Sequence, residues 1–240
     1  MSINKHIAGC MMGLFVGDAA GATLEFMRGP FEKDIVKYAM SMPGGGHMNV
    51  DKGQVTDDAE LAIHLWRALY QHDPKDGFPQ NDVAKEYIMW HRSDPFDMGM
   101  TCSRAFGYAS KADDCCSNAL KYNSLSEANG SLMRIAPLAI WAKDLPDTDI
   151  ITFARIEAML SHPNQLCQDA NAIYCLTIAY LLRNVGDADG ALQYIERYVK
   201  DMHPTINGWF DAAMKIDIST YQCIYNIGHV KHAFILTFHC

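Results

Sequence analysis

Gly53-Gln54-Val55-Thr56-Asp57-Asp58-Ala59-Glu60-Leu61-Ala62-Ile63-His64-Leu65-Trp66-Arg67-Ala68-Leu69 is the stretch whose reading decides the fold class. Leu61, Leu65 and Leu69 recur every four residues, with Ile63 and Trp66 beside them. They form one apolar stripe along a helix over 58–70. The same period returns along the chain. A helix after Asn81 carries Val83, Tyr87 and Trp90, and another covers Leu132–Trp141. A further helix after Asp149 carries Ile150, Phe153, Ile156, Met159 and Leu160. It stops at His162-Pro163, because proline disfavours helical geometry in the residue before it. Helices also fit 169–184, 189–201 and 219–239. The one candidate strand is a short piece at Ile35–Tyr38. Turns are expected at Pro43-Gly44-Gly45-Gly46, Asp73-Pro74, Asp94-Pro95 and His203-Pro204. The expected class is all-α. No segment reads as a linker, so residues 1–240 are read as one domain.

Composition narrows the function classes. A formal net charge of -8 repels nucleic-acid phosphates and anionic membrane surfaces. No nucleic-acid or membrane partner is expected, and no apolar run is long enough to span a bilayer. Lys5 before the apolar run Ile7–Val16 imitates a signal peptide, but Asp18 and the interrupting glycines break the pattern. The eight cysteines include no CxxC pair, and a chain of 240 residues needs no disulfide framework. A cytoplasmic, monomeric protein with free thiols is expected.

Five constellations could carry chemistry. In Gly9-x3-Gly13-x3-Gly17-Asp18-x2-Gly21-x3-Glu25, the glycines share one helical face and leave it bare. Each costs up to about 1 kcal/mol against alanine, so close helix packing or a ligand should offset them. Asp18 and Glu25, seven apart, would share a face if the helix continues. In Thr56-Asp57-Asp58, threonine suits an N-cap and the acids suit the helix dipole. Yet a capping box would need Glu or Gln where Ala59 stands. Alternatively, both carboxylates and the hydroxyl could give oxygen ligands to a hard divalent cation. Asp94-Pro95-Phe96-Asp97-Met98-Gly99 reads either as a turn and cap, or as Asp97 beside a ligand with Gly99 permitting close approach. Asn129-Gly130-Ser131 before an apolar helix offers free N–H groups suited to phosphate, or an ordinary loop with Ser131 as cap. His162 at a helix end is by default a residue favoured by the dipole.

Together and in order, five segments resemble the ADP-ribosylglycohydrolase family. They are GLFVGDAAGATLEF (13–26), GQVTDDAELAIHLWRAL (53–69), DPFDMGMT (94–101), ANGSLMRIAPLAI (128–140) and LSHPNQLCQDA (160–170). The resemblance implies a single all-α domain with a binuclear Mg2+ (or Mn2+) centre. It implies Thr56, Asp57 and Asp58 as metal ligands, with Glu25 at the centre controlling the attacking water. Asp97 and Gly99 would lie by the distal ribose. Asn129, Gly130 and Ser131 would meet the diphosphate, and His162 would line the nucleotide part of the cleft. The implied activity is metal-dependent removal of ADP-ribose from a protein side chain or small conjugate.

The family's later Gly-Gly-Asp-x-Asp-Thr motif, which supplies the remaining metal ligands, has no counterpart here. Asp187-Ala188-Asp189-Gly190 reads as a loop and helix start, and the pattern from His229 to Cys240 has no closing cap. A C-terminally truncated family member is expected, with the second metal position in question. The alternative to a hydrolase is an ADP-ribose-binding protein without turnover, or a fragment.

Overall fold

The computed structural model describes residues 3–27, 29, 31–223 and 225–239. Twelve α-helices appear among them and no strand, only two isolated bridges. In order they are α1 (Ile3–Ala22), α2 (Lys33–Ala39), α3 (Asp57–Leu69), α4 (Gln80–Arg92), α5 (Met100–Phe106) and α6 (Ala112–Asn123). There follow α7 (Ala136–Trp141), α8 (Asp147–Met159), α9 (Gln165–Arg183), α10 (Ala188–Val199), α11 (Pro204–Lys215) and α12 (Val230–His239). None of the described helices is long and apolar enough to cross a membrane.

α9 is the axis of the fold. Asn164 caps it by accepting from the Leu166 N–H at 2.9 Å. Its faces are buried nearly all round, by Leu166, Ala170, Ile173, Leu176, Ala179 and Leu182 among others, and α7, α8, α10, α11 and α12 pack about it. α3 lies alongside, against α4 and α7, with Leu61, Leu65 and Leu69 fully buried. Each such leucine contributes about 1.5–3 kcal/mol. The seven described cysteines are free thiols; the expected helical end at Cys240 lies outside the described residues.

Several sequence expectations need correction. Ile35–Tyr38 is not a strand but part of α2, where Asp34 and Lys37 suit the two ends of the dipole. The β-branched pair Ile35-Val36 suggested extension, but no neighbouring strand is present among the described residues to pair with it. The helix expected over 132–141 begins only at Ala136. Pro137 lacks an N–H and fits the first turn of a helix, so residues 131–134 form turns instead. The helix expected over 219–239 reduces to Val230–His239. Before it lies a single 3-10 turn at Ile218–Thr220, and Asn226 takes a left-handed backbone (φ 54°) that no helix continues through. Asp187 does start a helix, accepting from the Gly190 N–H at 3.0 Å.

Of the two expectations for the glycine stripe of α1, close helix packing is not met. A Cβ at Gly9, Gly13, Gly17 or Gly21 would meet nothing within 4 Å, so the stripe faces open space rather than a packed helix. α1 ends at Ala22, and Glu25 sits in the following turn, its N–H donating to the Gly21 carbonyl at 3.0 Å.

Candidate active site

Thr56 occupies the N-cap position of α3, yet its side chain makes no capping bond. Asp18 of α1 supplies the cap from outside. Its carboxylate accepts from the Thr56 N–H at 2.9 Å, the Thr56 hydroxyl at 2.8 Å and the Ala59 N–H at 3.0 Å. The orphan donors of the first turn are thus met across 38 residues of sequence. Because the Thr56 hydroxyl gives its proton to Asp18, its oxygen lone pairs stay available. Asp18 is the residue that sequence reading left without a role; the missing capping-box acid at position 59 was the signal that another cap existed.

Behind this cap four acids converge. Asp57 and Asp58 open α3, Asp97 comes from the loop before α5, and Glu25 from the turn after α1. Asp57 lies beside Gly99, where a Cβ would stand 3.9 Å from its Oδ2, close enough to Asp58 and Asp97 for their charges to act on it. Burial is the first reason the acids hold their protons, and their neighbours' charges add to it. Glu25 is pushed up to about 7 by burial and then by Asp97, Asp58 and Asp18. Asp57 is pushed up to about 9 by burial and then by Asp58 and Asp97. Asp58 reaches about 7, through burial and then Asp18, and Asp97 is raised chiefly by burial. Among the described residues, no three histidine, cysteine or acidic side chains already form a cage around one point. The donor chemistry nonetheless suits a hard cation: anionic oxygens crowded so that protons must screen them.

The Asn129-Gly130-Ser131 loop also meets α5, about one helical turn further along. Gly99, at the N-cap of α5, touches Asp57, while Cys102, about one helical turn on, lies 3.5 Å from where a Gly130 Cβ would stand. The loop is held from behind by the segment before α12. The Asn129 N–H donates to the Gly228 carbonyl at 2.8 Å, the Val230 N–H to the Glu127 carbonyl at 2.8 Å, and His229 pairs with Glu127 at 2.7 Å. An open cavity of about 430 Å3 flanks this junction, lined by Leu125, Glu127, Ala128, Asn226, Gly228 and His229. It contains none of the four acids.

Gly130, Ser131 and His162 are all buried. His162 was expected on a cleft wall; its ring instead lies directly beneath Gly130, where a Cβ would come within 2.9 Å of Cε1 and Nε2. Ser131 faces Asn171 of α9 at 3.5 Å rather than capping a helix. Under the loop runs a polar network that sequence reading did not find. Arg134 pairs with Glu157 at 2.7 Å, both fully buried, and the Tyr87 hydroxyl donates to the same Glu157 oxygen at 2.5 Å. The guanidinium lies 4.4 Å from the centre of the Tyr87 ring, a cation–π contact. Nothing in a linear sequence distinguishes this buried arginine from an exposed one.

The ADP-ribosylglycohydrolase family profile matches residues 1–240. The chain is 30% identical over 185 residues to the ADP-ribosyl-[dinitrogen reductase] glycohydrolase of Rhodospirillum rubrum, covering 77% of this chain and 59% of that one. It is 22% identical over 218 residues to human ADP-ribosylhydrolase ARH3, covering 87% and 58%. Among solved structures, one described as an ADP-ribosylglycohydrolase-related protein complex superposes with a TM-score of 0.75 at 24% identity, over 98% of this chain and 74% of that one. The chain thus spans about three fifths of the length of these two curated relatives. It belongs to the ADP-ribosylglycohydrolase family.

Proposed function

We propose that this chain hydrolyses the glycosidic bond between ADP-ribose and a protein side chain or small conjugate, with a divalent cation at the acid cluster. The observation that carries this reading is the convergence of Glu25, Asp57, Asp58 and Asp97 at the capped start of α3, where burial and then their neighbours' charges raise their proton affinity. Thr56, Asp57 and Asp58 would hold a Mg2+ (or Mn2+) ion. When bound, it would screen the carboxylates, orient ribose hydroxyls and favour ionisation of water.

The chain's own residues account for the remaining chemistry. Cleavage at an anomeric carbon builds oxocarbenium-like positive charge, which carboxylates in a poorly hydrated site stabilise. Glu25, with its proton affinity near neutrality, is suited to take a proton from the attacking water. Asp97 and Gly99 stand beside Asp57, where a ribose could meet them. Asn129, Gly130 and Ser131, one turn of α5 away, would receive the diphosphate, with His162 beneath them. The substrate is then an ADP-ribosylated protein or conjugate. Free, largely buried thiols agree with action in the cytoplasm.

A second reading, binding of ADP-ribose without turnover, is favoured by the acids' arrangement: among the described residues no three of them already form a cage around one point. One experiment separates the two. Release of ADP-ribose from ADP-ribosyl-arginine and ADP-ribosyl-serine peptides is measured with Mg2+ present. The control replaces Thr56, Asp57 and Asp58 together with alanine. Release above the control supports the hydrolase. Equal release, with ADP-ribose binding seen by calorimetry, supports the binding protein. Neither release nor binding removes both.

A further inference from the structure

His162 has one ring nitrogen engaged and one without a partner. Nδ1 lies 2.8 Å from the Ser161 hydroxyl, while Nε2 is buried with no hydrogen-bond partner. Ser161 Oγ in turn receives a hydrogen bond from Arg134 Nη2 at 2.8 Å. Arginine can only donate, so the serine oxygen is the acceptor there. Two proton arrangements remain for the Ser161–His162 contact. If Nδ1 carried the ring proton and donated to Ser161, the serine proton would have no acceptor in a fully buried site, and Nε2 would be an unmet acceptor as well. If the serine donates to Nδ1, Ser161 and His162 together leave one polar group unmet, the Nε2–H. A buried unmet group costs about 1–3 kcal/mol, so the arrangement with one wins over the arrangement with two.

We infer that Arg134, acting through Ser161, is a positioning residue that fixes His162 in the Nε2–H tautomer and so keeps a hydrogen-bond donor directly beneath Gly130. Arg134 is itself held by Glu157, which also accepts from Tyr87, and the flat guanidinium lies over the Tyr87 ring, 4.4 Å from its centre, with the Phe106 ring nearby. The relay therefore starts in the core and ends at the loop. Asn171 adds a second buried donor, Nδ2, without a partner, and its Oδ1 faces Ser131. Two unmet donors sit next to Gly130 and Ser131, which matches a ligand rich in acceptor oxygens, such as a diphosphate. The inference rests on the reading of this loop as a ligand subsite. Its first half, the tautomer, does not depend on that reading.

The test uses 15N-histidine NMR on the full chain, with His162 assigned by comparison with His162→Gln. The wild type is expected to show the Nε2–H pattern; an Nδ1–H pattern overturns the inference with no variant needed. Ser161→Ala removes the relay while leaving the Arg134–Glu157 pair, and is expected to give a mixed or Nδ1–H ring. An unchanged ring in that variant also overturns it. ADP-ribose affinity is then compared by calorimetry, with Ser161→Ala expected to bind about tenfold more weakly. Equal affinity in a variant whose tautomer has switched overturns the link between ring and ligand. Failure of the wild type to bind ADP-ribose removes the functional reading instead, and the tautomer result still decides the role of Arg134 and Ser161.

Discussion

Asp18→Ala isolates the cap that joins α1 to α3. The carboxylate accepts from two backbone N–H groups and one hydroxyl, all of which lose their partner in the variant. Loss of an N-cap costs about 0.5–2 kcal/mol, and hydrogen bonds to a charged group are worth about 1.5–3 kcal/mol. A destabilisation of about 2–4 kcal/mol is therefore expected at pH 5. In a domain of this size each kcal/mol moves the melting temperature by about 2–4 °C, so the fall should be about 5–15 °C. The sign of the pH dependence is fixed by the neighbours. Asp18 disfavours ionisation of Glu25, Asp58 and Asp97. At pH 5 Glu25 and Asp58 are largely protonated and feel little repulsion, so the whole cost of the lost cap is seen. At pH 8 they ionise, and removing Asp18 relieves them, so the net cost shrinks. Thr56→Val, which loses only the hydroxyl bond, should cost about 1 kcal/mol. Thermal unfolding by circular dichroism, without divalent cations, measures both variants at both pH values. If Asp18→Ala costs no more than Thr56→Val, or costs more at pH 8 than at pH 5, the cross-helix cap is not what holds α3.

Other outcomes follow from the same geometry. The acids that hold protons when folded lose them near pH 4 when unfolded, so their contribution is fully present below that pH. It is lost as pH rises toward about 7 for Glu25 and Asp58 and about 9 for Asp57. The cation-free melting temperature should therefore fall from pH 5 to pH 8, and a rise over that range would contradict it. Gly130→Ala places a methyl 2.9 Å from the His162 ring, which is buried and has no room to retreat. Overpacking of about 1–3 kcal/mol should appear in urea unfolding, together with weaker ADP-ribose binding. Glu157→Gln leaves the Arg134 charge buried without its counter-ion and should cost about 3–5 kcal/mol. An unchanged urea midpoint would show that the pair is dispensable.

Much of the fold was legible because it rests on local periodicity. The leucine stripe of α3 and the proline stop after α8 follow from neighbours in sequence. What misled were segments where local preference and tertiary context disagree. Ile35-Val36 reads as strand until no partner strand is found, and Leu132–Ile135 reads as helix until Pro137 fixes where the first turn begins. The site divides in the same way. The sequence named Glu25, Asp57, Asp58 and Asp97, and the fold brings them together. It could not reveal that Asp18 caps α3 from α1, since that bond spans 38 residues. Nor could it show that His162 lies under the loop, because burial of a histidine depends on what packs over it.

The most direct test of the central claim is calorimetric titration of Mg2+ or Mn2+ into the chain at pH 7, in two buffers of different ionisation enthalpy. If Thr56, Asp57 and Asp58 hold a cation, binding is saturable, releases protons from the acid cluster and disappears when Asp57 and Asp58 are replaced together by alanine. Saturable binding that persists unchanged in that double variant, or no binding in the wild type, would contradict the account.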